Sequence, residues 1–190
     1  MVTATVVNGL SIEGIQGMVE LVKAQPQVAK AVFSASTTWR SGFHNEATVK
    51  GFSLGGAKND TSRKQSFTIV GDHPQELLGT NKGPSSVEVL LAALGHCLAS
   101  GWATYGATMG IAIESLRVEV EGDIDLQGML ALPTPGAVAP GFQEIRATYY
   151  VESRAPREQL EQLAKTSEDL SPTRHSLRAV KFSSKLIIES

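Results

Sequence analysis

The stretch LLAALGHCLASGWAT, residues 90–104, decides how this chain is read. From Val87 to Ala99 only Glu88 and His96 are strongly polar. A segment apolar on nearly every side and several turns long is a helix held inside a protein. Just upstream, Ser85-Ser86-Val87-Glu88 matches a capping box, with Ser85 as N-cap and Glu88 reaching back from the third helical position. These signals predict a helix from about Ser86 to Met109. It is rich in small residues, Ala92, Ala93, Gly95, Gly101 and Gly106 among them. Glycine costs ~1 kcal/mol against alanine in a helix, so several together imply that other backbone or a partner helix comes close.

The same stretch holds the one cysteine of the chain, Cys97. Glu88 is no base for it. At ~100° and ~1.5 Å per residue, nine steps put the two on opposite faces, ~13.5 Å apart along the axis. His96 points ~100° away around the helix, and the helix dipole fades within the first turn. A reactive Cys97 therefore calls for a cation from elsewhere in the fold, or from a second subunit, to lower its pKa. The other reading is an inert, buried thiol that fills space.

Outward from this helix the pattern alternates. Upstream, residues 29–40 and 46–54 read as a hairpin around the turn-like SGFHN, and 65–72 as a third strand. Downstream, 113–125 places Leu116, Val118 and Val120 on one face, and 142–153 returns as its neighbour after a loop with three prolines. Residues 156–170 carry Leu160, Leu163 and Ala164 at helical spacing, and 177–190 reads as a last strand. At the N-terminus, 11–25 forms an amphipathic helix closed by Pro26 and packed on the main body. The order α-βββ-α-ββ-α-β predicts an α+β fold of antiparallel sheets around a helix. The predicted division is an N-terminal helical extension, 1–28, and one domain, 29–190.

Composition narrows the function. The 190 residues are 42% apolar and 19% charged, with a formal net charge of −2. That gives no electrostatic basis for binding nucleic acid or an anionic membrane. One cysteine cannot close an intrachain disulfide. The N-terminus lacks the basic and apolar regions of a signal peptide, and no run is read as reaching the ~20 apolar residues of a membrane span. A cytoplasmic protein is expected.

Residues 79–125, GTNKGPSSVEVLLAALGHCLASGWATYGATMGIAIESLRVEVEGDID, resemble the OsmC family, which includes osmotically inducible protein C and the organic hydroperoxide resistance proteins. The marks are LLAALGHC, at Leu90 to Cys97, and the strand ending GDID, at Gly122 to Asp125. GFQEI at 141–145 and SPTRHSL at 171–177 also look like the family, and the resemblance extends from about residue 30 onward. It implies an intertwined homodimer with the central helices buried between strongly bent antiparallel sheets. It implies that Cys97 attacks a small apolar hydroperoxide and that Arg40, in TTWRSG, stabilises the thiolate. No metal or organic cofactor is implied, only a reductant. Two family positions differ here. Val87 stands where the family has a glutamate, and Ser171 where it has a second, resolving cysteine. A serine cannot close a disulfide, so an external thiol, or Cys97 of the partner subunit, would reduce an oxidised Cys97.

Other motifs have ordinary readings. Asp123 and Asp125 loosely suggest a calcium loop without its remaining ligands. LGTNKGPSS lacks the Gly-Lys-Ser/Thr ending of a phosphate loop. Ser171, Asp169 and His175 lack the nucleophile elbow of a hydrolase. Trp39 and Trp102 are core or interface residues, or line a pocket near Cys97. Arg40 is also read as a solvated residue at a hairpin turn. The expected function is a thiol-dependent peroxidase of organic hydroperoxides. The alternatives are a dimeric binding module for a small apolar or electrophilic ligand, with Cys97 incidental, and a purely structural protein.

Overall fold

Ser11 opens the first helix: its side chain accepts the N–H of Gly14 at 3.0 Å, satisfying one of the donors a helix leaves free at its start. The computed structural model describes residues 5–59 and 62–177. A small hairpin, β1 (Val6–Val7) with β2 (Leu10–Ser11), precedes α1 (Ile12–Ala24). Pro26 begins a 3-10 turn, Pro26–Ala29. No residue of α1 is buried. The main contacts of α1 are with β2 and that turn, and Met18, Val19 and Leu21 stay exposed.

The chain divides into two compact units, Met1–Ala92 and Ala93–Ser190. The first is built on the hairpin of β3 (Ala31–Ser41) and β4 (His44–Leu54), joined through Gly42 with φ +54°, a conformation glycine adopts without penalty. The free edge of β4 pairs with β5 (Ala57–Asn59) at one end and β6 (Phe67–Gly71) at the other. Among the described residues this unit buries no apolar side chain; its buried residues are Asp72 and Ser85. Every residue of β3 is exposed, with Val32, Phe33 and Trp39 at 65%, 73% and 70%.

The central helix, α2 (Ser86–Met109), has the predicted bounds. Glu88 reaches back as expected, accepting from Ser85 N at 2.7 Å and from Ser85 Oγ at 2.6 Å. The boundary between the units falls inside this helix. Burial of α2 on all sides is not found. Within one chain it buries a single stripe, Leu94, Leu98, Trp102 and Gly106, with Ala107 beside it; the four-residue steps mark one face. The membrane-span reading also needs correcting, because α2 is long and apolar enough by length and composition to cross a bilayer. Its buried stripe nevertheless belongs to a protein core.

That core lies in the second unit. Trp102, Ile111 and Leu163 form its centre. β7 (Ser115–Ile124) and β8 (Phe142–Glu152) pair antiparallel along their whole length. On β7 the alternation holds at every residue: Leu116, Val118 and Val120 turn inward, and Arg117, Glu119 and Glu121 outward. Between these strands lies α3 (Leu126–Met129). After them come α4 (Arg157–Asp169) and α5 (Pro172–Ser176). Leu160, Leu163 and Ala164 of α4 all join the core, as their spacing predicts. The predicted last strand lies outside the described residues except for Leu177, which caps α5. All strand pairs described are antiparallel and the fold is α+β.

Candidate functional site

The site is assembled on α2 by a close approach. A Cβ built on Gly101 would lie 3.1 Å from Ser167 Cβ, so any larger residue would push α4 back by a few tenths of an ångström. Ser167 is fully buried there and bonds back to Leu163 O at 2.9 Å. Moving one turn from this contact, four residues back on α2 and four forward past α4, brings Cys97 to Ser171. Their side chains meet: Ser171 Oγ donates to Cys97 Sγ at 3.1 Å.

Ser171 is the donor in that bond. Ser171 is the N-cap of α5, with Pro172 in the first helical position, where its missing N–H costs nothing. Its Oγ accepts the N–H of Arg174 at 3.1 Å. A hydroxyl has one proton, and here the proton goes to sulfur. Ser171 is 2% exposed, so water does not compete. Thr173 adds hydrogen bonds to Cys97 from its side chain and its backbone. Cys97 itself is half-buried. Burial pushes its thiol up, but the Ser171 and Thr173 bonds outweigh burial and the net shift is downward. The cation that the isolated helix calls for is not what lowers this thiol. Neutral donors do it.

The predicted site residues fall in different units. Cys97 is in the second. Arg40 is in the first, where its Nη2 and Nε meet Glu46 Oε2 at 2.7 and 3.3 Å. This pair is half exposed and lowers the Glu46 carboxyl. Val87 is exposed. The hydrolase grouping is not assembled: Ser171 serves Cys97, and His175 Nε2 contacts Asp169 O at 2.7 Å. Asp123 is held by both Arg146 terminal nitrogens at 2.5 and 2.9 Å, and Asp125 caps α3 through the N–H of Gln127. Trp102 is a core residue stacked at a tilt on Tyr149. Trp39 lines a cavity of about 370 Å³ in the first unit with Phe43, Asn45, Ile69 and His73; the Phe43 and His73 rings stack at 4.2 Å.

Thr173 and Asp72 escape a reading of the sequence. Asp72, 2% exposed, accepts from the Thr80 hydroxyl at 2.5 Å and from the N–H groups of His73, Thr80 and Lys82. It thereby organises the loop that leads into α2. The signal for it is an aspartate at a strand end, followed by a run of turn formers. Ser171 is visible in the sequence only as a missing thiol. The Ser-Pro pair does mark a helix start, but not what its hydroxyl touches.

Three comparisons bear on this arrangement. A family model described as OsmC-like protein matches residues 79–185. No curated protein matches. Solved structures share the fold at low identity. An OsmC-like protein from Mycoplasma pneumoniae superposes with a TM-score of 0.59 at 17% identity, covering 78% of this chain and 89% of that one. An organic hydroperoxide resistance protein OsmC from Legionella pneumophila gives 0.53 at 15%, covering 78% and 92%.

Proposed function

We propose that this chain, which belongs to the OsmC-like protein family, reduces organic hydroperoxides with Cys97 as nucleophile. The observation that carries the reading is the half-buried Cys97 thiol, lowered by donors at a site built by the packing of two helices. The thiolate is the nucleophilic form of cysteine. It attacks the outer peroxide oxygen; the O–O bond breaks, the alkoxide takes a proton and leaves as alcohol, and sulfur becomes the sulfenic acid. An external thiol condenses with it to a mixed disulfide and water, and a second thiol returns Cys97 to its reduced form. Summed, one hydroperoxide and two thiols give one alcohol, one disulfide and water. No metal or organic cofactor is invoked.

The working form is a homodimer in the cytoplasm. The first unit supports a dimer because it buries no apolar side chain among its described residues while Val32, Phe33 and Trp39 stand exposed. Large apolar side chains left exposed on a unit without an apolar core support an interface. Sedimentation velocity tests it, and a monomer at micromolar concentration rejects it.

A second reading keeps the fold and drops the catalysis, leaving a dimeric module for a small apolar or electrophilic ligand. The engagement of Arg40 by Glu46 favours it. Consumption of cumene hydroperoxide with a dithiol or lipoylated reductant separates the two. Turnover lost in Cys97→Ser supports the peroxidase. Absence of turnover with every reductant leaves the binding module.

A further inference from the structure

We propose that Ser171 is a positioning residue that holds its proton on the Cys97 sulfur, so that oxidised Cys97 waits as a sulfenic acid for a small external thiol. The inference rests on the peroxidase reading above and assigns the residue that prepares the thiolate and the class of partner that resolves its product.

Three features lead here. The hydroxyl is held from two sides: Arg174 N–H donates to it at 3.1 Å, it donates to Cys97 Sγ at 3.1 Å, and the residue is 2% exposed. A donor fixed before the reaction stabilises charge without reorganising during it. Second, the group packed against the sulfur is an alcohol, which cannot form the sulfur–sulfur bond that would resolve the product from this position. Third, Cys97 is the only cysteine of the chain, so no other residue of the same chain can do so. Cys97 is half-buried rather than enclosed, which leaves a path for a small thiol. The step is the condensation of Cys97–SOH with R–SH to Cys97–S–S–R and water. The sulfenic sulfur is reduced, the thiol sulfur is oxidised, and the thiol proton leaves with the sulfenic oxygen as water.

The test is the rate of Cys97 alkylation by iodoacetamide against pH in the full chain. Ser171→Ala should raise the midpoint by about one pH unit, the scale of one hydrogen bond to a charged acceptor. Ser171→Thr, which keeps the hydroxyl, should restore it. Ser171→Gly keeps a residue type that helix N-caps tolerate, but offers no proton and adds no charge beside the sulfur. If Ser171 only caps α5, this variant alkylates like the wild type; the proposal requires its midpoint to rise. It also decides the matter should Ser171→Ala fail to fold. Midpoints unchanged in both Ala and Gly variants overturn the proposal. The partner is tested by mass spectrometry after one equivalent of cumene hydroperoxide. A dimedone adduct on Cys97, replaced by a mixed disulfide when 2-mercaptoethanol is added first, is expected. A disulfide between two Cys97 residues overturns the external-thiol assignment. Alkylation requires no peroxide, so a shifted midpoint without hydroperoxide turnover rejects the peroxidase reading and leaves the role of Ser171 in setting the thiol intact.

Discussion

Ser171 Oγ lies 3.1 Å from Cys97 Sγ, across 74 positions of sequence. The two side chains already face one another, so replacing oxygen by sulfur supplies a second thiol in contact with the first. Ser171→Cys is expected to give a protein in which one equivalent of hydroperoxide consumes both thiols of the same chain. A closed loop of this length stabilises by about 4 kcal/mol in the chain-entropy account. Thiol titration and non-reducing peptide mapping before and after oxidation check it. A free introduced thiol after oxidation would show that the helix ends do not hold this contact.

The lowered thiol of Cys97 makes stability depend on pH. In the folded chain burial pushes the thiol up, and the Ser171 and Thr173 bonds bring it below its ordinary value. A group depressed on folding contributes stability that is complete above its unfolded pKa, about 8.5 for cysteine, and lost as pH falls through the folded value. The stability of the wild type relative to Cys97→Ser should therefore grow as pH rises toward the unfolded value of about 8.5 and level off above it. Urea denaturation of both proteins at a series of pH values below and above about 8.5 measures it, and a flat difference contradicts the hydrogen-bonded thiolate.

Much of this fold is legible in the sequence because its signals are local. The capping box ending at Glu88, the alternation of Leu116, Val118 and Val120, and the spacing of Leu160, Leu163 and Ala164 each act within a few residues, and each is found as read. The site is not legible in this way. That Ser171 meets Cys97 depends on Gly101 admitting Ser167, a contact between distant segments that no local spacing encodes. The burial of α2 misleads for a related reason: apolarity on all sides says that a helix is to be covered, but not that its own chain covers only the stripe through Leu94, Leu98 and Trp102.

Two glycines of α2 should respond oppositely to alanine. At Gly95 a new Cβ meets only a Val120 methyl, at 3.5 Å, an ordinary contact. Gly95→Ala should stabilise by about 0.5–1 kcal/mol through helix propensity alone. At Gly101 the new Cβ lies 3.1 Å from Ser167 Cβ and 3.3 Å from its Cα. These are backbone and Cβ atoms of a fully buried residue and cannot swing aside. Overpacking costs about 1–3 kcal/mol, so Gly101→Ala should lose about 1 kcal/mol net of the same propensity gain. It should also slow Cys97 alkylation at neutral pH, since displacing α4 draws Ser171 from the sulfur. Urea midpoints of the two variants, side by side, test the sign.

Asp72 offers a test of the first unit alone. The Thr80 hydroxyl, followed by the N–H groups of His73, Lys82 and Thr80, holds this carboxyl far below the usual range against the opposing effect of burial. Its stabilising contribution is therefore complete above the unfolded pKa, about 3.9, and is lost as pH falls from there toward the folded value. Asp72→Asn removes the charge while keeping the shape, and places an amide N–H₂ among groups that all donate. The variant should be clearly less stable than the wild type at pH 7, by the same margin at about pH 5, and by a shrinking margin below about pH 4. Urea midpoints at these three acidities decide it. A margin that stays constant into acid would mean that the mismatched amide donor, rather than the lost charge of Asp72, sets the difference.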